Sequence, residues 1–399
     1  ALLLLVAATP AAAGGLGRPN GISARGVGMG GAWTAWVDDP TAVVFNPAAL
    51  SEIETQASVG AELVIGPRSY VPLADDGTRG PAQETTIVAP VPSLGVVGRF
   101  ASEDQPSRVT FGAGAWNTFG GKVRFPKTGA SALDATEDLV IETSVAAALR
   151  VSDRLSVGGA VRLGIGLFSI EATEKPFDAT LSASGVGVAV ALGVLFRPTE
   201  TVRVAMAWRS PLRITTSGAG TIELPGGSAQ SSVEHLQTWP QQASLGVGLL
   251  ANPRLKLAGQ LDWTAWSELR ELVVAATGTP TQTYREDWQD TWTARLGVAY
   301  TATPTVTLRG GTYVDSNAVP DRTIERQYLD STKVGVSMGA SVTRGAWRVD
   351  AAVDVVLAPT REVPNNSAET VDFPADRNIA PGSYAGTLLT FELAIAYRF

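Results

Sequence analysis

From about residue 55 to its end, the chain alternates between apolar and polar positions. The last segment shows the pattern most clearly. Leu389, Phe391, Leu393, Ile395, Tyr397 and Phe399 share one face; Thr390, Glu392, Ala394, Ala396 and Arg398 share the other. Alternate side chains of a strand point to opposite faces, so this spacing predicts a strand with one greasy and one polar side. The same holds where Val202, Val204, Met206 and Trp208 oppose Arg203 and Arg209, and where Leu255, Leu257, Leu261 and Trp263 oppose Lys256, Gln260 and Asp262. Trp292, Leu296, Val298 and Tyr300 oppose Thr293 and Arg295, and Trp347, Val349, Val353 and Val355 oppose Arg348, Asp350 and Asp354. Divided in this way, the chain predicts about fourteen strands of roughly ten residues, the length a tilted strand needs to cross a bilayer.

The connections alternate too. Short turns such as 152–154, 198–200, 252–253, 303–304 and 344–345 are followed by long stretches at 117–137, 214–238, 270–288, 315–330 and 358–384. Short periplasmic turns and long outer loops are the habit of outer-membrane barrels. Trp208, Trp263 and Trp292 sit beside long connections, and Tyr300, Trp347, Tyr397 and Phe399 beside short ones, which predicts two aromatic girdles. A soluble sandwich with one buried face accounts for the alternation, but not for loop asymmetry, girdles and terminal Phe399 together. The expected fold is all-β: a 14-stranded antiparallel transmembrane β-barrel with an N-terminal hatch, or plug, in its lumen.

Residues 1–13, ALLLLVAATPAAA, read as the remnant of a signal peptide, with an apolar run and small residues at Ala11 and Ala13. Residues 14–54 are rich in Gly and Ala and do not alternate. A barrel of about fourteen strands leaves a wide lumen, so this segment is expected to fill it, the other reading being a periplasmic tail. Residues 55–399 form the barrel. No run approaches the ~18 apolar residues of a membrane-spanning helix.

Composition narrows the chemistry. Charged residues make up only 17% while hydrophobic residues reach 45%, which fits a wall that faces lipid. The absence of Cys excludes thiolate catalysis, disulfides and Cys-bound metals, and a lone His235 excludes any site that needs two imidazoles. A net charge of −7 argues against nucleic acid. Gly26, Gly28 and Gly31 match a G-x-G-x-x-G spacing, but no strand precedes them and no βαβ unit surrounds them. No cofactor and no enzyme activity is expected.

Several motifs carry a resemblance. Gly15–Leu16–Gly17–Arg18, Ala24–Arg25–Gly26–Val27–Gly28–Met29–Gly30–Gly31–Ala32, Asp38–Asp39–Pro40 and Asn46–Pro47–Ala48–Ala49–Leu50 open the chain. Later come Trp239–Pro240, Leu261–Asp262–Trp263, Trp266–Ser267, Trp288–Gln289–Asp290, Leu296–Gly297–Val298–Ala299–Tyr300, Leu308–Arg309–Gly310–Gly311, Tyr313 and the terminal Ala396–Tyr397–Arg398–Phe399. Over nearly its full length the chain resembles the FadL/TodX family of outer-membrane transport proteins. The N-terminal glycine-rich stretch alone is also similar to PorV-type barrels that serve protein secretion. The FadL resemblance implies passive uptake of long-chain fatty acids or hydrocarbons, capture at outer loops, a hatch that shifts, and lateral release into membrane lipid at a kinked third strand. It implies a monomer. By position the hatch motif falls on Asn46, Pro47 and Ala48, and the third strand on Val109–Trp116.

The residues suggest how a lateral gap would arise. Pro90 and Pro92 at the start of the second strand lack a backbone donor, and Gly112 and Gly114 in the third permit a bulge or bend. The plainer readings are prolines in a loop and glycines that relieve crowding. Arg162, Arg295 and Arg309, inward-facing and near mid-strand, are candidates for binding a fatty-acid carboxylate, or else members of a salt-bridged wall with Asp262, Asp350, Asp354 and Glu392. The third outer loop, near 171–178, is short for the resemblance, which puts an outer capture groove in question. A plain diffusion pore is a further alternative.

Overall fold

The computed structural model of the chain describes residues 22–99, 108–127, 132–174, 177–224, 226–276, 282–364 and 381–399. The expected signal segment, 1–13, and the first hatch residues, 14–21, lie outside the described residues. No helix among the described residues is long and apolar enough to cross a membrane.

Fourteen antiparallel strands close into a barrel. They are β1 (Gln56–Pro72), β2 (Gln83–Arg99), β3 (Val109–Arg124), β4 (Ala132–Arg150), β5 (Leu155–Glu174) and β6 (Phe177–Phe196). Four strands follow in two pieces each: β7 (Val202–Arg209 and Leu212–Leu224), β8 (Gly227–Trp239 and Gln242–Asn252), β9 (Leu255–Thr264 and Glu271–Ala276) and β10 (Gln282–Arg285 and Thr291–Thr303). The set ends with β11 (Val306–Asp315), β12 (Lys333–Arg344), β13 (Trp347–Leu357 and Arg361–Val363) and β14 (Gly382–Arg398). Each strand pairs with its neighbours in sequence. The ring closes where β1 meets β14, from Gln56 opposite Arg398 to Pro72 opposite Gly382. Closure of β1 on β14 leaves neither of these two strands with a free edge, which a membrane interior would penalise.

The alternation read from the sequence is the in–out alternation of this wall. In β14, Phe391, Leu393 and Ile395 are exposed while Thr390, Glu392 and Ala396 are buried. In β12, Val334, Val336 and Met338 point out and Lys333, Ser337 and Ser341 point in. The exposed apolar residues are those a bilayer would cover. Aromatic side chains border them: Trp263 lies opposite Trp292 across β9 and β10. Trp347 and Tyr397 meet edge to face at 4.7 Å, with Phe399 5.1 Å beyond.

Two expectations are corrected. The strands are longer than roughly ten residues: β1 to β6 run to 16–20. The stretch 214–238, expected to be a long loop, is mostly the paired upper halves of β7 and β8, Leu212 opposite Trp239 through Leu224 opposite Gly227. The stretch 117–137 is likewise taken up largely by β3 and β4. Beyond the bilayer both faces of a strand meet water or protein, so the apolar alternation that reports a strand fades while the hydrogen-bond ladder continues.

Candidate functional site

Residues 22–54, the expected hatch, pack against inward-facing residues of the barrel wall. This segment folds into two short helices, α1 (Ala24–Gly28) and α2 (Ala42–Phe45), and a 3-10 turn (Pro47–Glu52). Its side chains form one apolar cluster with the lower wall, centred on Trp33, Trp36, Val43 and Leu50. The wall leaves room for it by placing glycines inward. A Cβ on Gly193 would lie 2.1 Å from Asn46 Oδ1, and one on Gly158 would lie 2.4 Å from the Pro47 backbone. A Cβ on Gly112 would meet Leu50 and Val43 at 2.8 Å.

The sequence-predicted hatch residues therefore sit against β5 and β6. Asn46 caps the 3-10 turn by accepting from the Ala48 N–H at 3.1 Å, and its amide donates to Thr34 O and Val194 O at 3.3 Å. Further bonds tie the hatch to the wall. The Trp33 and Thr34 N–H groups donate to Gln260 Oε1 at 3.0 and 2.9 Å. At the far end of the segment, Arg99 of β2 and Arg150 of β4 both donate to Ser51 O, at 2.8 and 2.7 Å. Two guanidinium groups thus share one carbonyl near the end of the turn, a favourable match of charge to dipole.

The three predicted arginines are not brought together. Arg162 of β5 donates to both oxygens of Glu142 in β4, at 3.0 and 2.7 Å, and Arg209 of β7 bonds the same carboxylate. Arg295 bonds Asp262 at 2.5 Å and the hatch carbonyl of Gly30 at 3.1 Å. Arg309 donates to Ser341 Oγ at 2.5 Å.

The wall is discontinuous between β2 and β3. β1 and β2 pair over fifteen residues, and so do β3 and β4. β2 and β3 pair over only six, from Leu94 opposite Ala115 to Arg99 opposite Thr110. Pro90 and Pro92 lie just above the last pair, on the outward face of β2. Opposite them β3 carries a register shift between Asn117 and Phe119. Asn117 holds the bulge by donating to Phe119 O at 3.1 Å and Val140 O at 2.9 Å. The strands touch again near their outer ends, where Thr85 Oγ1 donates to Arg124 O at 2.5 Å. Between these contacts the two strands form no ladder pairs among the described residues, a window in the hydrogen-bond ladder. Gly112 and Gly114, expected to bend the third strand, lie below it and are paired with Val97 and Gly95, while the register shift falls at Asn117 and Phe119. A Cβ on Gly114 would sit 2.3 Å from the Trp116 ring, so the bare glycine lets that ring fold down beside Gly95 and hatch Pro40.

Above the hatch lies an apolar compartment that sequence reading did not assign. Trp239 stacks on Phe119 at 5.4 Å; Phe119 meets Trp266 at 6.2 Å; Trp266 meets Trp288 at 5.1 Å; Trp288 meets Tyr328 at 6.0 Å. Four of these five side chains stand where strands stop alternating. Trp239 precedes the break in β8, Trp266 opens the 3-10 turn Trp266–Glu268 inside β9, Trp288 lies in the break of β10, and Phe119 follows the β3 bulge. Tyr328 comes from the segment between β11 and β12, which folds inward with Val319, Ile324 and Tyr328 buried. Arg326 of that segment reaches Gln83 of β2 and, at 3.1 Å, Asp134 of β4. It thereby spans the two strands that flank β3. The signal in the sequence was tryptophan at each interruption of the alternation, beside Pro240, Ser267 and Gln289.

The comparisons agree with this architecture. The family model described as outer membrane protein transport protein (OMPP1/FadL/TodX) matches residues 4–399. A crystal structure of a Pseudomonas aeruginosa FadL homologue superposes with a TM-score of 0.83 at 18% identity, covering 96% of this chain and 100% of that one. The Pseudomonas putida toluene transporter TodX gives 0.75 at 15% identity, over 96% and 100% of the two chains. The Ralstonia pickettii toluene transporter TbuX gives 0.72 at 16%, over 96% and 99%. No curated protein matches the chain. At these identities the structural likenesses speak for the fold.

Proposed function

The chain belongs to the OMPP1/FadL/TodX family of outer-membrane transport proteins, and from that premise we propose a passive channel that admits hydrophobic small molecules, long-chain fatty acids or hydrocarbons, and releases them sideways into the membrane. The observation that carries the reading is the aromatic cluster of Phe119, Trp239, Trp266, Trp288 and Tyr328 on the inward side of the wall. Ring faces offer an apolar solute both buried area, at ~25 cal/mol/Å², and favourable stacking geometry. Compounds that contain rings fit this lining best.

Lateral release is supported by the window between β2 and β3. A greasy solute gains nothing by stepping into periplasmic water, whereas lipid keeps its surface dry. In this reading Trp116, resting on Gly114 and hatch Pro40, closes the window from the lumen side. Pro90 and Pro92 keep β2 from zipping to β3, since neither has an N–H to donate. Arg162, Arg295 and Arg309 hold the wall and the hatch rather than the ligand, because each is already engaged by wall or hatch groups.

The test is uptake by cells that express the chain and lack other channels of this kind. Labelled toluene and labelled palmitate are followed, with W266A/W288A beside the parent. The reading expects uptake of at least one probe above vector, and loss of it in the double variant with the barrel still folded. Uptake equal to the vector for both probes would sink it.

A further inference from the structure

The connection between β11 and β12, residues 316–332, does not stand clear of the barrel as an outer loop. Ala318, Val319, Pro320 and the run 323–328 are buried. Ala318, Val319, Ile324 and Tyr328 belong to the same apolar cluster as Trp239, Trp266 and Trp288. The connection runs across the lumen as a strap. At one side Ala318 O accepts from the Gln289 N–H in the break of β10 at 2.8 Å, and Thr323 Oγ1 donates to Glu286 O at 2.6 Å. At the other side Gln327 O accepts from Arg68 of β1 at 2.9 Å, and Arg326 bonds Gln83 of β2 and Asp134 of β4. β4 and β10 stand nearly opposite each other in a ring of fourteen strands. The strap joins the outer ends of β11 and β12, so it lies across the way from the outer mouth to the rings.

Its outer side is open. Asn317, Pro320, Asp321 and Ser331 of the strap, with Arg361 and Glu362 of β13, line a groove of about 500 Å³. The strap therefore turns polar groups to the groove and apolar groups to the rings. Its ties to the wall are of a kind that can be undone. Among the described residues, none of 316–332 joins a strand ladder, and the one short helical turn is Asp321–Thr323. Arg361 acts as a clasp: its Nε donates to Asp321 Oδ1 at 2.8 Å and its Nη1 to Asp330 O at 2.7 Å, so one side chain grips the strap at two points. The Asp321 side chain is 60% exposed, and an ion pair in contact with water is weak. The strap can lift while the ladders of the wall stay whole.

We propose that this strap is an outer gate, which lies over the aromatic cluster at rest, is held down by Arg361 as its positioning residue, and lifts when an apolar solute enters from the groove. A greasy solute replaces the contacts of Val319, Ile324 and Tyr328 with its own surface, so opening does not leave the rings bare to water. A polar solute offers no such replacement, and the gate itself then favours apolar cargo. The inference rests on the reading of the aromatic cluster as part of the transport route.

The chain has no Cys, so one engineered pair can lock the strap to the wall. A Cβ on Gly386 of β14 would lie 2.8 Å from Leu329 Cδ2, which brings the pair L329C/G386C within reach of the Cβ spacing of about 3.5–4.5 Å that a disulfide needs. Cells that express this variant are given labelled toluene under reductant, after oxidation, and after reductant is restored, with the crosslink confirmed by mass spectrometry. Uptake should fall to the vector level on oxidation and recover on reduction, while the gel mobility of the unheated barrel stays that of a folded one. R361A, checked for folding in the same way, should raise uptake several-fold, the worth of one lost, partly exposed ion pair. Full uptake by the crosslinked chain overturns the gate and leaves the transport reading standing, and so does a loss that reductant does not reverse. If the pair does not crosslink, R361A decides, and uptake equal to the parent overturns the gate. Absence of uptake by the parent overturns the transport reading and the gate together.

Discussion

Removing the charge of Glu142 should destabilise the barrel strongly. The side chain is fully buried, yet it receives two bonds from Arg162 and two from Arg209, at 2.7–3.0 Å. Ser144 and Thr118 add their hydroxyls at 3.1 and 3.2 Å. Glu142→Gln keeps the shape but leaves two guanidinium groups facing each other with no counter-charge. Breaking a buried pair from one side costs about 3–5 kcal/mol, and the second arginine puts this site at the upper end. Replacing all three, E142L with R162M and R209M, removes the buried charges together and should return to within about 1–2 kcal/mol of the parent. The assay is urea unfolding of the protein refolded into phospholipid vesicles, followed by tryptophan fluorescence. A loss below about 1 kcal/mol in E142Q would refute the account of the cluster as a tightly coupled unit. The change also has a functional reading. Thr118 lies in the β3 bulge beside the window, and Arg209 stands over the Phe119 ring at 5.6 Å. Ligand uptake should therefore fall in E142Q even at urea concentrations where the barrel is intact.

Three further outcomes follow from the geometry. Leu393→Arg places a charge near the middle of the lipid-facing side of β14, where Leu393 is 53% exposed, and should cost about 2–4 kcal/mol in the same unfolding assay; a neutral effect would mean that this face does not meet lipid. Gly193→Val drives a side chain into the space of Asn46 and Pro47, so the hatch should dislodge and the conductance of single proteins in planar bilayers should rise while the unheated gel mobility of a folded barrel persists. Unchanged conductance would show that the hatch does not close the lumen by this contact. Gly112→Val with Gly114→Val crowds Leu50, Val43 and Trp116 at the base of the window, so uptake should be lost in a folded barrel, and normal uptake would contradict the assigned route.

The fold was legible because lipid imposes a rule on every second residue. Phe391, Leu393 and Ile395 could only be outward, and Thr390 and Glu392 only inward, once a bilayer was assumed. Above the bilayer that rule lapses, which is why the upper halves of β7 and β8 read as a loop although they pair without interruption. The position of the hatch motif was legible through Asn46 and Pro47, but not what it packs against. Gly158 and Gly193 are silent in the sequence, since an inward glycine in a strand looks the same whether it bends the wall or receives a plug.

The compartment was hidden for the opposite reason. Strand reading discards residues that break the alternation, and the breaks are what turn Phe119, Trp266 and Trp288 into the lumen. Arginine at inward mid-strand positions looked like ligand chemistry, yet in a low-charge wall a buried guanidinium needs a counter-charge, and Arg162 shares Glu142 with Arg209 while Arg295 pairs with Asp262. With those charges engaged by the wall, what the breaks in the strands bring together is a set of rings. In the proposed function, selectivity then depends less on the regular wall than on the few places where the wall departs from regularity.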